Sequence, residues 1–99
     1  MFSIVSNTIL KEEADFEVSA SINDNSGNLE VACNIPYDKK IALVLISNAN
    51  KNLMEDKLYV SGDSIEIPLK KYNADSFTLE ISDENGNAMS RYRIMRSYC

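Results

Sequence analysis

The chain of 99 residues has no histidine and no tryptophan, and only three glycines, two prolines and two cysteines. Without histidine, the commonest general base and the commonest metal ligand are missing, and no Ser-His or Cys-His nucleophile can be assembled. Three scattered glycines cannot form a phosphate-cradling loop. Two cysteines without histidine do not make a protein-only zinc site. No apolar run approaches about 18 residues, so no membrane-spanning helix and no membrane insertion are expected. The N-terminal stretch MFSIVSNTILKEEADF lacks the basic start and long apolar segment of a secretory signal. With Met1 as the natural start, the expectation is a cytoplasmic chain. The C-terminal RSYC does not place its cysteine where prenylation needs it.

Hydrophobic residues make up 44% and charged residues 25%, a globular balance. The length suits one domain over residues 1–99, with the N-terminal domain of a longer protein as the alternative. The net charge is −5, the wrong sign for a general nucleic-acid binder. Residues 1–38 carry one lysine against seven acids, while residues 39–99 carry nine bases against eight acids. Such asymmetry either steers a basic partner or keeps an edge strand from pairing with other chains.

The dominant period is two. Phe16, Val18, Ala20 and Ile22 share one parity of residues 16–23, and Leu29, Val31, Cys33 and Ile35 share one of 29–35. Ile65, Ile67 and Leu69 do so in 64–69, and Phe77, Leu79 and Ile81 in 76–82. Each is the pattern of a half-buried strand. IALVLIS at 41–47 is apolar at both parities, which predicts a central strand covered on its second face as well. KLYVS at 57–61 predicts a short strand with Leu58 and Val60 inward, and AMSRYRIM at 88–95 a last strand with Tyr92 and Ile94 inward. The first strand, within 2–10, has irregular parity and is expected at an edge, or bent. NANKNLMEDK at 48–57 suggests one helical turn. DNSGN at 24–28 and DENGN at 83–87 carry hairpin chemistry, with Gly27 and Asn85-Gly86 as the turn signals. Pro68 cannot donate a ladder hydrogen bond, so its strand is expected at an edge or bulged. Seven to eight short antiparallel strands leave apolar faces that only a second sheet can cover. The expected fold is all-β, a two-sheet antiparallel β-sandwich of immunoglobulin or fibronectin type III kind, with a small barrel as the alternative.

Cys33, at an inward strand position, reads as a small buried thiol, and a bond to the terminal Cys99 needs that residue to fold back. DENGN and DNSGN lack the glycine spacing of an EF-hand loop and read as hairpins. Glu12, Glu13, Asp15 and Glu17 read as a solvated acidic edge. Arg91 and Arg93 share one strand face, where they either bind an anionic group or pair across the sheet with Glu80. Lys39-Lys40 beside Tyr37 and Lys70-Lys71 beside Tyr72 lie in turns that together would line one end of the sandwich, where such folds place binding loops.

From Asp38 onward, KKIALVLIS, KLYVSGDSIEIPL and DSFTLEISDENGNAMSRYRI run as hydrophobic strand, short strand and turn, apolar strand, aromatic-led strand and Asn-Gly hairpin into a last strand. This rhythm resembles the fibronectin type III-like accessory domains of bacterial surface-polysaccharide and sensor proteins. It departs at Phe77, where the family often has a tyrosine whose hydroxyl makes a corner hydrogen bond, unless Tyr72 substitutes. The resemblance implies no catalytic residue and no cofactor. The expected function is a non-catalytic accessory or binding module, not an enzyme. Its expected partner is a protein, a downstream domain of the same chain, or an anionic glycan. The candidate contact residues are Tyr37, Lys39, Lys40, Lys70, Lys71, Tyr72, Arg91 and Arg93. The competing reading is a structural or assembly protein, such as a virion component or small chaperone-like sandwich, acting through strand edges.

Overall fold

The computed structural model describes residues 1–12, 15–47, 52–54 and 58–97. The alternating segments form β1 (Phe2–Ile9), β2 (Glu17–Ile22), β3 (Leu29–Asn34), β4 (Ile41–Ser47), β5 (Asn52–Met54), β6 (Leu58–Tyr59), β7 (Ser64–Ile67), β8 (Ser76–Asp83) and β9 (Ala88–Arg96), with a 3-10 turn at Leu69–Lys71. All observed pairings are antiparallel. One sheet runs β1-β9-β8-β4, with the short β5 and β6 on the far edge of β4. The other runs β2-β3-β7. The molecule is therefore a two-sheet antiparallel β-sandwich.

Alternation decides what is buried. Leu43, Leu45, Phe77, Leu79, Ile81, Tyr92 and Ile94 of the larger sheet join Leu29, Val31, Cys33, Ile65 and Ile67 of the smaller one in a single core. Leu69, in the 3-10 turn, plugs one end. Cys33 is a free, buried thiol. Its pKa is pushed up, first by burial and then by the negative charge of Asp63. Its pairing with Cys99 falls outside the described residues.

Two polar side chains organise the hairpins. Asn23 Oδ1 accepts the backbone N–H groups of Asn25 and Ser26 at 2.8 and 3.1 Å, and Gly27 closes the β2–β3 loop at φ +74°. Asp83 Oδ1 accepts from the N–H groups of Asn85 and Asn87 at 2.9 Å each, and Gly86 sits at φ +86°. The Gly86 N–H donates to Asp83 O and the Asp83 N–H to Asn87 O, which is a turn followed by a left-handed glycine. Side-chain acceptors satisfy loop amides that strand pairing leaves without partners.

Three expectations need correction, and those of an edge strand before Pro68 and of an edge or bent first strand are met. The inner face of β4 is buried, but Ala42, Val44 and Ile46 on its second face are only half-buried. Among the described residues no third layer covers them. Beside Ile41, β6 turns Tyr59 inward, whereas Val60 is 39% exposed, because the register opposes Tyr59 to the inward Ile41. The helical turn over 48–57 lies mostly outside the described residues, and its described part, Asn52–Met54, is a strand paired with β4. β7 stops at Ile67, before Pro68, and is an edge strand. The first strand is both an edge strand and bent, with a register shift between Ile4 and Ser6.

Candidate functional site

β1 is the longest strand at a sheet edge, and its bulge explains its irregular parity. Phe2 and Ile4 point into the core, opposite Arg96 and Ile94. The extra residue at the shift lets Val5 stand 55% exposed, while Ile9 returns to the inward parity. Ile9 finds no core there and remains 58% exposed, because the two sheets part at that end. The opening between them is a cleft of about 520 Å³ lined by Ile9, Phe16, Val18, Met89 and Ser90, with Lys11 and Glu12 at its rim. Phe16 and Val18 are half-buried for the same reason.

The backbone of β1 presents a free edge beside this cleft. Leu10 donates its N–H to Met89 O on β9 at 2.8 Å, and Ser97 donates to Met1 O at 2.7 Å. In an antiparallel ladder, alternate residues turn both N–H and C=O to the same side. Thr8 therefore faces β9, and Asn7 and Ile9 turn their backbone groups to the side where no strand is described. Beyond Ile9 the chain leaves the sheet through Lys11, whose ammonium lies 3.5 Å from Asp83. It then turns at Asp15, φ +69°, to start β2. Aspartate tolerates that left-handed corner better than most residues.

The outer faces differ in character. On the smaller sheet Glu17, Glu30 and Glu66 each accept a side-chain amide, from Asn34 at 3.3 Å, Asn23 at 2.7 Å and Asn28 at 2.6 Å. On the larger sheet Arg91 pairs with Glu80 at 3.1 Å, the cross-strand partner expected for it. Both side chains are partly exposed, so the pair contributes only ~0.2–1 kcal/mol. Arg93 lies on the same face opposite Thr78, and both arginines border a shallow groove with Ile46, Ser76 and Glu80. The Asp83 carboxyl is held below its ordinary pKa, first by the Asn87 N–H and then by the Asn87 side chain, the Asn85 N–H and Lys11, with burial opposing. Its oxygens are committed to the hairpin. No group of three or more metal-ligating side chains occurs among the described residues.

No family model, no curated protein and no solved structure matches this chain.

The lysine pairs expected together lie at opposite ends of the sandwich. Lys39 and Lys40 precede Ile41, which pairs with Asp83, and they share a recess with Lys11, Asn85 and Asn87. Lys70 lies at the other end, beside Gly27, Phe2 and Arg96. The reason is strand direction: Lys39-Lys40 lead into β4, whereas Lys70-Lys71 follow β7 in the opposite sheet. Tyr37 is 92% exposed in the turn closed by Lys39 N–H to Pro36 O. Tyr72 is half-buried with its ring edge-on to Phe77 at 6.3 Å, and Lys71 stands 5.7 Å above it. Tyr92 is buried, as its parity required. Of the acidic edge, Glu12, Asp15 and Glu17 are exposed, and Glu13 lies outside the described residues.

Sequence reasoning missed the cleft. Its signal was present in the apolar Ile9 and Leu10 following a polar Ser6-Asn7-Thr8 stretch, but the bulge that turns Ile9 toward an opening has no sequence mark.

Proposed function

We propose that the chain is a non-catalytic binding module that recruits a partner protein by strand addition at β1. The observation that carries this reading is a free edge strand running beside an apolar cleft. An extended peptide laid along β1 would find the outward backbone groups of Asn7 and Ile9 as hydrogen-bonding partners. Alternate apolar side chains of that peptide would enter the space lined by Ile9, Phe16, Val18 and Met89. Backbone pairing supplies affinity and the cleft supplies selectivity. Lys11 and Glu12 at the rim fix a preference for charged residues flanking the apolar ones. The accessory-domain resemblance agrees with a role that consists of holding another chain.

The test is selection from a displayed library of short random peptides, followed by titration of the winning peptide. The expected peptides alternate apolar and polar residues and perturb the amides of β1. Asn7→Pro removes an outward N–H without breaking the ladder to β9, so it should abolish binding while leaving the melt nearly unchanged. Binding that survives Asn7→Pro and Ile9→Lys together would contradict strand addition. The same free edge also favours the competing assembly reading, in which β1 pairs with β1 of a second copy. Sedimentation showing a concentration-dependent dimer that Asn7→Pro dissolves would select it.

A further inference from the structure

The end of the sandwich farthest from the cleft has a second cavity, of about 400 Å³, lined by Met1, Phe2, Asp24, Asn25, Gly27, Lys70 and Arg96. Its floor is built from three elements: the start of β1, the β2–β3 hairpin and the 3-10 turn after β7. Two cations border it. The Arg96 guanidinium lies over the Phe2 ring at 4.9 Å, which holds its plane in place. Its Nε is buried with no hydrogen-bond partner, and the Asp75 carboxylate stands 3.8 Å away, outside hydrogen-bond reach. Lys70 has no carboxylate in ion-pair contact among the described residues, and its side chain is drawn close to the hairpin. A Cβ on Gly27 would meet Lys70 Cε at 3.3 Å. The hairpin glycine thus does two things: it takes the positive φ and it leaves room for the lysine.

The lining also holds one carboxylate, Asp24, and one side-chain amide, Asn25. Asp24 and the Asp75 carboxylate beside Arg96 offset much of the positive charge of Lys70 and Arg96, so the site suits a singly charged anion that both cations can reach and not a doubly charged one. A doubly charged phosphate would be repelled by Asp24. The two acceptors on the hairpin suit hydroxyl groups, since a carboxylate and an amide oxygen both accept O–H donors. We propose that this cavity binds a polyhydroxylated monocarboxylate, the sugar-acid class, with its carboxylate on Arg96 and Lys70 and its hydroxyls on Asp24 and Asn25. The planar guanidinium favours a carboxylate, which it can meet with two parallel hydrogen bonds. This site is independent of strand addition at β1, because it lies at the opposite end and shares no residue with the cleft.

The experiment is a titration of the full chain, ¹⁵N-labelled, with D-glucuronate, D-glucose and inorganic phosphate in parallel. The expected result is saturable shifts at the amides of Gly27, Lys70 and Arg96 with glucuronate, at a Kd on the order of 1 mM, as befits a small ligand in an open site. Glucose and phosphate should leave those amides unmoved. Arg96→Gln and Lys70→Gln should each weaken glucuronate about tenfold, the loss of one charge-assisted hydrogen bond. Lys70 is exposed, so Lys70→Gln keeps the fold and carries the test even where Arg96→Gln lowers stability. Absence of saturable shifts with glucuronate, equal binding of phosphate, or unchanged affinity in Lys70→Gln would each overturn the assignment.

Discussion

Asp83 shows how one carboxylate can hold a loop. It receives two backbone N–H groups, an asparagine side chain and a lysine, and it is held below its ordinary pKa chiefly by the Asn87 amide. A lowered pKa in the folded state means that ionised Asp83 contributes stability above the ordinary carboxylate value of 3.8, and that this contribution is lost as pH falls through the lower folded value. Asp83→Ala should therefore melt below the wild type at pH 7, and the gap between the two should close at acid pH. A gap that stays constant down to pH ~2 would show that the charge is not what matters. From the sequence alone Asp83 was the first residue of a hairpin signal. Its role as the hairpin's internal acceptor depends on a side-chain torsion, which residue identity does not set.

At the scale of elements, period-two alternation made most strands legible, because a strand with one face in a core must bury every second residue. β3, β7 and β8 follow that rule and lie where the alternation put them. β6 does not. Its two residues are too few for a pattern, and its register to β4 decided that Tyr59 faces inward. The lysine pairs were misjudged for a related reason: turn residues are readable locally, but the end of the sandwich they reach depends on sheet order. In the β8–β9 hairpin, Gly86 holds a left-handed conformation with open space around the missing Cβ, so strain alone sets the cost of substitution. Gly86→Ala should cost about 1–2 kcal/mol, which in a domain of this size lowers Tm by roughly 4–8 °C per kcal/mol. A thermal melt checks it, and an unchanged Tm would mean that the loop has another conformation available.

For the whole molecule, the radius of gyration of 13.0 Å matches the value of about 13 Å for a compact chain of this length. Stability rests on the interior between the two sheets, where Leu79 is fully buried in β8 between its neighbours β4 and β9. Leu79→Ala should cost 2–5 kcal/mol, roughly a third of a typical total, as read by urea denaturation. A loss below about 1 kcal/mol would mean that the sheets do not meet there. The sandwich closes over this interior but opens beside β1, and the proposed function depends on that opening. Residue-resolved amide hydrogen exchange on the free chain tests it most directly. A free β1 edge requires Thr8 and Leu10 to exchange slowly, with Asn7 and Ile9, which alternate with them, exchanging fast. Equal, slow exchange at all four would mean that the edge is already occupied and that no partner strand can add there.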